Sequence, residues 1–424
     1  MALILLALAL SCSSLTSVDT PDAISSTTAG SAAGAKGLWA GAVGTVYGVF
    51  ASGSGLLAPD NTVNYGALLA DELESGDIIG LNTSSIDARR LPDPEGGDRT
   101  FTVYSGLQRA RVALRAALEA NLQFAPTEAT RIGQLYALLG YVNVWFAEYF
   151  CSGIPLSESR NGTIQYGVPL STTELLQDAV SLFDSALGQA ADSARIADLA
   201  HVGRARALID LGNFAAAAAA TSAVASDYRY TSEHSPAVQP NGIAAAFTSL
   251  RFGVANAKSG TGLDYRAAGD PRIPTSVVGL GSDRITNIYS LTGITAASPV
   301  VIASGVEARL IEAEAALQAS DVSAFVADLN AARAAQGLSP LSDPGDSTAR
   351  VDLLFRERAF AMFLTGHRLG DLRRLVRQYG RSVSDVFSGG IYKDGLLRGD
   401  AVNFSIPVSE RNNPNFHGCL SRDP

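Results

Sequence analysis

The sequence predicts a mainly α-helical protein, a tetratricopeptide-like α-α superhelix with irregular loop insertions and a few short strands. Long stretches carry apolar residues at i, i+3, i+4 and i+7, the spacing that places side chains on one face of a helix. In two places such stretches flank a short turn and are rich in alanine. Small residues let two helices approach closely, which is how such pairs stack side by side.

The composition indicates a globular protein and narrows the class of partner. The chain has 424 residues, of which 47% are hydrophobic and 17% are charged, and this balance is not typical of a disordered chain. Its net charge is −9. Nucleic-acid binding needs basic surface, so we expect no nucleic acid among the partners.

The N-terminus carries an apolar run, Ala2 to Leu10, followed by Ser11-Cys12. This run is too short to span a bilayer. Because Ala-Leu-Ser-Cys is an acceptable lipobox, we expect residues 1–11 to be a lipoprotein signal peptide and Cys12 to carry the lipid. An ordinary secretory signal and a chance apolar start are the alternatives. The usual basic segment is missing, which is consistent with a true start a few residues upstream of Met1.

The next segments differ in composition. Residues 12–37 are rich in Ser, Thr, Ala and Gly, and we predict that they form a flexible tether. Residues 38–424 are expected to form a single helical domain. It would begin with a helix over about 38–50, whereas residues 51–104 carry turn-forming clusters and no long period.

The helical pairs are predicted in two blocks, over about 105–226 and 305–380. Between them the helical period stops, and residues 227–304 are predicted to form a loop-rich insertion. Within it, 277–278 and 286–291 are candidate short strands. A non-helical stretch of this length is uncommon in a compact domain unless it is functional.

The stretch from Glu357 to Arg374 has the most informative side chains. Its first half is apolar on nearly every side, which predicts a buried helix. Gly366 can end that helix, because glycine adopts a left-handed backbone at no steric cost. An apolar seam then predicts a half-buried helix, with these charged residues on its outside: Asp371, Arg373, Arg374 and Arg377.

This stretch resembles the SusD/RagB family of outer-membrane nutrient-binding lipoproteins, whose pattern here is roughly ERxxEL-x-FEG-x-R-xx-DLxR. The chain keeps Glu357, Arg358, Gly366, Arg368, Asp371, Leu372 and Arg374. It departs from the pattern at Ala361 and Thr365, where the family usually has Glu. Near the C-terminus, Ile406-Pro407, Glu410 and Asn413-Pro414 match the family's IPxxE…NP ending. We expect most of these residues to hold the fold together, so they say little about the ligand.

The resemblance implies a lipoprotein that is anchored in the bacterial outer membrane and exposed at the cell surface. It would bind a nutrient, most often a glycan, and deliver it to a SusC-like TonB-dependent transporter. It implies no enzymatic activity and no cofactor. A peptide- or protein-binding helical scaffold lipoprotein is the alternative, followed by a glycan-degrading enzyme. The four histidines show no metal-ligand spacing such as HExxH, so no metal site is expected.

Ligand-binding residues are predicted from chemistry, because no family motif carries them. Aromatic rings stack on the apolar faces of sugars, while Asp, Asn and Arg bind hydroxyl groups. Loop aromatics beside polar residues are therefore the candidates, and for each a purely structural role is the alternative. They are Tyr65 beside Asn64 and close to Asp60 and Asn61, Tyr265 between Asp264 and Arg266, and Tyr289 near Asn287.

Two cysteines remain in the mature chain, Cys151 and Cys419. An exported protein meets an oxidising compartment, in which two cysteines can pair. One disulfide would tie the end of a mid-chain helix to the C-terminal tail. Two separate buried thiols are the alternative.

Overall fold

The computed structural model describes residues 30–52, 60–91, 100–160, 163–190, 192–258 and 261–424, so the predicted signal peptide and Cys12 lie outside the described residues. Fourteen α-helices dominate this part of the chain, which confirms the mainly α fold class. They are α1 (Ala32–Tyr47), α2 (Thr62–Leu69), α3 (Asn82–Asp87), α4 (Thr100–Phe124), α5 (Ala129–Tyr149), α6 (Thr172–Gln189), α7 (Ala194–Asp210), α8 (Phe214–Thr221), α9 (Gly242–Thr248), α10 (Gly305–Gln318), α11 (Val322–Ala334), α12 (Ser347–Ala361), α13 (Arg368–Tyr379) and α14 (Val383–Val386).

The described strands are short and pair only in twos, as five antiparallel two-stranded sheets. The pairs are β1–β7, β2–β5, β3–β4, β6–β10 and β8–β9. Their bounds are β1 (Leu73–Ser75), β2 (Ile154–Pro155), β3 (Glu158–Arg160), β4 (Thr163–Gln165), β5 (Pro169–Leu170), β6 (Arg229–Ser232), β7 (Phe252–Val254), β8 (Thr275–Leu280), β9 (Asn287–Leu291) and β10 (Val300–Ser304).

Small residues set the distance between neighbouring helices. The ring of Phe183 on α6 lies against Gly140 of α5 and Gly203 of α7. A Cβ atom at Gly140 would lie 2.7 Å from this ring, and one at Gly203 would lie 2.4 Å from it. Both distances are shorter than a Cβ can tolerate, so the close packing of the three helices depends on glycine at these two positions.

The predicted tether ends earlier than residue 37, because α1 begins at Ala32. The side chain of Ser31 caps this helix by accepting a hydrogen bond from the Gly34 amide at 3.1 Å. Ala35 is fully buried, and its carbonyl accepts a hydrogen bond from Asn121 of α4 at 2.9 Å. Residues 32–37 have the composition of a linker, but Gly34 and Ala35 are buried, and Ala35 packs against Ala120 of α4.

Residues 51–104 contain helices that the sequence did not predict. Every residue of α2 is buried. A helix that is buried on all sides shows no apolar stripe, so periodicity could not reveal it. In the insertion at 227–304, the predicted strand at 277–278 lies within β8, and the one at 286–291 begins one residue before β9. The insertion also carries α9, which was not predicted.

The segment after α12 differs from the prediction in two ways. The helix ends at Ala361 rather than at Gly366, which has the left-handed φ of +77°. Three of the four charged residues predicted on the outside of α13 are buried, since Asp371, Arg373 and Arg374 are at most 3% exposed, whereas Arg377 is exposed as predicted. Most of their partners lie on other elements, which the local pattern of α13 cannot show.

Asp371 lies at the centre of a buried group of charges. It accepts hydrogen bonds from Arg358 of α12 at 2.9 and 2.8 Å, and from Arg374 at 2.7 Å. Arg374 also donates to Glu314 of α10 at 2.6 Å, and it lies 3.3 Å from Asp210 of α7. This group therefore joins α7, α10, α12 and α13.

Two further buried ion pairs extend from the same segment. Arg206 of α7 donates to Glu148 of α5 at 2.7 and 2.5 Å, and to the carbonyl of Gly366 at 2.8 Å. Arg368 donates to Asp71, which follows α2, at 2.6 and 2.8 Å. Bidentate pairs of this kind fix orientation as well as distance. The residues matching the family pattern thus connect α2, α5, α7, α10, α12 and α13.

The charge state of Asp371 depends on its partners. Burial alone would raise its pKa, but Arg358 and Arg374 outweigh burial and hold the pKa well below the ordinary value. A carboxyl group with a lowered native pKa stabilises the fold above its unfolded pKa of about 3.9, and this contribution is lost as the pH falls through the native pKa.

We therefore expect Asp371→Asn to lower the free energy of unfolding by about 3–5 kcal/mol at pH 7, because it leaves two buried guanidinium groups without their shared carboxylate. The deficit should shrink below about pH 4, where the wild type loses the same contribution. Denaturant unfolding followed by tryptophan fluorescence measures both effects.

Asp352→Asn is the matched control, because Asp352 pairs with Arg381 at the surface and its side chain is 63% exposed. It should change the free energy of unfolding by less than about 0.5 kcal/mol. Equal effects of the two substitutions would contradict a stabilising role for the buried group.

The C-terminal tail is fixed to the end of α5. Cys151 and Cys419 form a disulfide, with an S–S distance of 2.05 Å and Cα atoms 5.8 Å apart. Beside it, the amide of Ser152 donates to the carbonyl of Ser421 at 2.9 Å, and the amide of Leu420 donates to the carbonyl of Ser152 at 2.8 Å. The tail therefore lies along residue 152 as an added antiparallel bridge.

Protein exported to an oxidising compartment should show no reactive thiol at Cys151 or Cys419 when denatured without reductant, and two after reduction. Cys151→Ser with Cys419→Ser should lower the free energy of unfolding by about 2–5 kcal/mol, because the long loop between the two residues is then no longer closed. Two reactive thiols before reduction would contradict the bridge.

Among the described residues, no helix has both the length and the hydrophobicity required to cross a membrane.

Candidate functional site

Three of the predicted ligand residues lie in the protein interior. Tyr65, Asn64 and Tyr265 are fully buried. The side-chain amide of Asn64 donates to the carbonyl of Gly242 at 3.1 Å, and the hydroxyl of Tyr265 donates to Asp71 at 3.2 Å. These side chains have no surface to offer a ligand, so the prediction of ligand contact is wrong for them. Their loop-like sequence gave no sign that neighbouring elements cover them.

The burial of Tyr265 anchors its neighbours at the surface. Its ring packs against Phe360 and Phe363, at centroid distances of 5.2 and 4.9 Å. The amides of Arg266 and Ala267 donate to the side chain of Asn256 at 3.0 and 2.8 Å. The backbone on which Asp264 and Arg266 are mounted is therefore held on both sides.

Asp264 and Tyr289, the other two predicted residues, are accessible and lie close to the same segment. Asp264 pairs with Arg356 of α12 at 2.8 Å, and both side chains are about 40% exposed. The guanidinium of Arg266 lies 4.0 Å from the ring centroid of Tyr289 and 3.4 Å from the carboxylate of Glu74. We call Glu74, Asp264, Arg266, Tyr289 and Arg356 the Tyr289 cluster.

The strand pairing places the Tyr289 cluster on the outer side of a hairpin. Tyr289 of β9 is directly opposite Val277 of β8, so the two side chains share one face of the hairpin. Val277 is 59% exposed. Ile288, on the other face, is fully buried. The half-buried ring of Tyr289 therefore lies at the rim of an open surface.

The cluster combines an aromatic ring, two guanidinium groups and two carboxylates. The hydrogen bond from Arg356 lowers the pKa of Asp264, with a smaller effect from the charge of Arg356, and keeps this carboxylate an ionised acceptor. Burial, together with the charge of Asp87, raises the pKa of Glu74. The hydroxyl groups of a ligand could bind to both donors and acceptors here, and the apolar face of a ligand ring could stack on Tyr289.

An extended apolar surface adjoins this hairpin. Lys393 holds three segments together, because its amine donates to the carbonyl of Ser75, to Asp283 and to Thr286. The large apolar side chains of these segments are 39–71% exposed, and we call them the loop face: Ile78, Ile79, Leu81, Val277, Val278, Leu280, Ile285, Ile391, Leu396 and Leu397. Exposed apolar surface of this extent is typical of an interaction site.

A concave surface lies on another part of the molecule, between α8, α10 and α11. It encloses about 1010 Å³ and is lined mainly by alanine, for example Ala219 and Ala316. Its charged lining is acidic, with Glu312, Asp321 and Asp328. Burial raises the pKa of Glu312 and of Asp328. We call this surface the alanine groove.

Within the described ranges, no cluster of three or more His, Cys, Asp or Glu side chains has the arrangement of a metal site.

The fold is that of SusD-like proteins. No protein-family model and no curated protein matches the sequence. Solved structures do match it. A SusD-like carbohydrate binding protein from Bacteroides vulgatus superposes with a TM-score of 0.65 at 14% identity, over 91% of this chain and 97% of the other. A SusD superfamily protein from Bacteroides thetaiotaomicron gives 0.67 at 14% identity, over 92% and 99%. A structure described as a laminarin binding SusD-like protein gives 0.62 at 13% identity, over 92% and 99%.

The sequence analysis named Asp264, Arg266 and Tyr289 of the Tyr289 cluster but missed Glu74. This residue lies in β1, a strand of three residues, which is too short to give an alternating pattern. Arg356 was visible only as a polar residue in an apolar helix, and its partner Asp264 lies 92 positions away. Pairings at this separation have no signal in a single sequence.

Proposed function

We propose that the protein is a lipid-anchored lipoprotein of the bacterial outer membrane, exposed at the cell surface, that binds a glycan and delivers it to a SusC-like TonB-dependent transporter. It performs no covalent chemistry in this role. The observation that carries the proposal is the Tyr289 cluster, an accessible group of aromatic, guanidinium and carboxylate side chains on the insertion of a SusD-like fold.

The chemistry of the cluster fits a sugar chain. Sugar rings present apolar faces and a rim of hydroxyl groups. Tyr289 supplies an aromatic surface, Arg266 supplies a donor 4.0 Å from its ring centroid, and Asp264, two residues before Arg266 in the chain, supplies an accessible acceptor. Because Tyr265 and Asn256 fix this segment, little conformational entropy would be lost when a ligand binds. The neighbours described as carbohydrate binding and laminarin binding support the ligand class.

Purified protein should migrate more slowly in native gels that contain a retained polysaccharide, with laminarin as the first member of a panel. Tyr289→Ala should weaken the apparent affinity for the polysaccharide at least tenfold, and so reduce the retardation. The reason is that an aromatic anchor at the centre of a binding site contributes about 2 kcal/mol or more.

Tyr166→Ala is the matched control, because Tyr166 is an exposed tyrosine, 43% accessible, outside the cluster. It should leave the retardation unchanged. Retardation by no polysaccharide, or equal losses in the two variants, would contradict the proposed site. Release of new reducing ends would show a glycan-degrading enzyme instead.

We assign the loop face to the transporter. Val277 of the loop face lies directly opposite Tyr289, so a transporter bound there would receive a ligand released from the cluster. Burial of this surface would supply about 25 cal/mol for each Å² of apolar area removed from water.

Val278→Glu with Leu397→Glu should abolish co-purification with a TonB-dependent transporter encoded beside this protein, because both charges would be buried in the interface. Retardation by the polysaccharide should persist. Leu122→Glu, at a 43% exposed leucine on α4, is the control and should still co-purify. Unimpaired co-purification of the double variant would show that the transporter binds elsewhere.

The alanine groove favours the alternative function, peptide or protein binding. Small side chains and an acidic lining would admit a basic helix at close range. Binding of basic helical peptides in the absence of any polysaccharide binding would support this alternative.

A further inference from the structure

The Tyr289 cluster contains two guanidinium groups, and each of them has a carboxylate partner. Arg356 donates to Asp264 at 2.8 Å, and both side chains are about 40% exposed. The guanidinium of Arg266 lies 3.4 Å from the carboxylate of Glu74, with side-chain exposures of 23% and 29%. A ligand can therefore reach both cations and both carboxylates, but it meets them as pairs.

Arg266 is also held by an aromatic ring. Its guanidinium lies 4.0 Å from the ring centroid of Tyr289, a distance at which a cation is attracted to the ring face. To pair with an anionic ligand, Arg266 would have to give up part of its contact with Tyr289 and with Glu74. A hydroxyl group makes no such demand, because a guanidinium has five N–H donors and an ion pair leaves several of them free.

The cation nearest to Arg356 is paired as well. Arg272 and Arg356 both lie against the ring of Phe360, with guanidinium carbons 5.5 and 4.7 Å from its centroid. Arg272 pairs with Asp270 at 2.6 Å and with Glu357 at 2.9 Å. It therefore adds no unbalanced positive charge to this side of the cluster.

The surroundings of Glu74 oppose further negative charge. Burial and the charge of Asp87 raise the pKa of Glu74. The cations that act on it, Arg266, Lys258 and Lys393, do not offset this rise. An anionic group of a ligand brought beside Glu74 would meet the same burial and the same negative charges, so its ionised form would be disfavoured.

An ion pair acts differently on charged and uncharged ligands. A carboxylate or sulfate placed beside Arg356 is attracted by the guanidinium and repelled by Asp264 at a similar distance, so the two effects largely cancel. The water that the anion loses is then not compensated. A hydroxyl group loses less on dehydration, and the pair offers a donor and an acceptor side by side, which match two adjacent hydroxyl groups of a sugar.

We propose that the Tyr289 cluster selects an uncharged glycan over glycans that carry carboxylate or sulfate groups. Of two adjacent sugar hydroxyl groups, one donates to Asp264 and the other accepts from Arg356. The inference rests on the proposed function for its class of ligand, a glycan, and adds the charge of that ligand.

Laminarin, lightly and equally substituted with either hydroxyethyl or carboxymethyl groups, supplies two probes that differ mainly in charge. Calorimetric titration of the full-length protein should give at least tenfold tighter binding of the hydroxyethyl polymer. If another member of the polysaccharide panel is retained instead, its two derivatives replace those of laminarin.

Asp264→Asn keeps the size of the side chain but leaves Arg356 without a carboxylate partner. It should raise the affinity for the carboxymethyl polymer, relative to the hydroxyethyl polymer, at least tenfold. This gain should shrink at high ionic strength, because salt screens charges at the surface. Adding Arg356→Gln to Asp264→Asn should remove the gain.

Asp352→Asn is the matched control, because Asp352 pairs with Arg381 at 2.6 Å at the surface outside the cluster. It removes the carboxylate partner of an arginine in the same way and should leave the ratio of the two affinities unchanged. Thermal unfolding of the variants checks that they fold.

Equal or tighter binding of the carboxymethyl polymer by the wild type would overturn the inference. Loss of that binding in Arg284→Gln would then place it at this exposed arginine on the turn between β8 and β9. An unchanged ratio in Asp264→Asn would also overturn the inference.

Loss of both derivatives, when laminarin itself binds, would overturn the inference as well, since shape and not charge would then be selected. Retardation by no polysaccharide would defeat the proposed function and, with it, this inference. Retention of an acidic polysaccharide in a Tyr289-dependent manner would defeat this inference alone.

Discussion

The structure depends on the requirement that charges taken into its centre be paired. Asp371 binds the guanidinium groups of Arg358 and Arg374, and Arg374 also pairs with Glu314 and Asp210. An unpaired charge at this depth would cost several kcal/mol, so the helices that carry these groups can assemble in few ways. Apolar packing supplies the driving force, while the charged group specifies which helices meet and at what angle.

This division of labour explains where recognition can occur. The helical pairs and the buried charges form a rigid support, and the irregular segments are fixed to it at defined points. Tyr265 inserts between Phe360 and Phe363, and Lys393 joins three segments of the loop face. Asp264, Arg266 and Tyr289 therefore lie on an insertion whose base is fixed to the helices by these contacts. A surface built this way can change its exposed side chains without disturbing the core.

Elements that depend on local sequence patterns were predicted, whereas contacts between distant segments were not. The helical pairs at 105–226 and 305–380 follow from periodicity, and the strands at 277–278 and 286–291 follow from composition. The helix α2 was missed because it is buried on every side. Asp371 and Arg374 were placed outside because α13 alone looks amphipathic. Tyr65 and Tyr265 were predicted to lie at the surface because the elements that cover them are far away in the sequence. Of the predicted ligand residues, Asp264 and Tyr289 are accessible.

Hydrogen–deuterium exchange with and without a retained polysaccharide tests the central claim most directly, because it reports every segment in one experiment. The account predicts slower exchange of the backbone at 264–266 and 275–291 in the presence of the polysaccharide, with α12 and α13 already protected and unchanged. Slower exchange confined to α8, α10 and α11 would contradict it, since that result would place the ligand in the alanine groove.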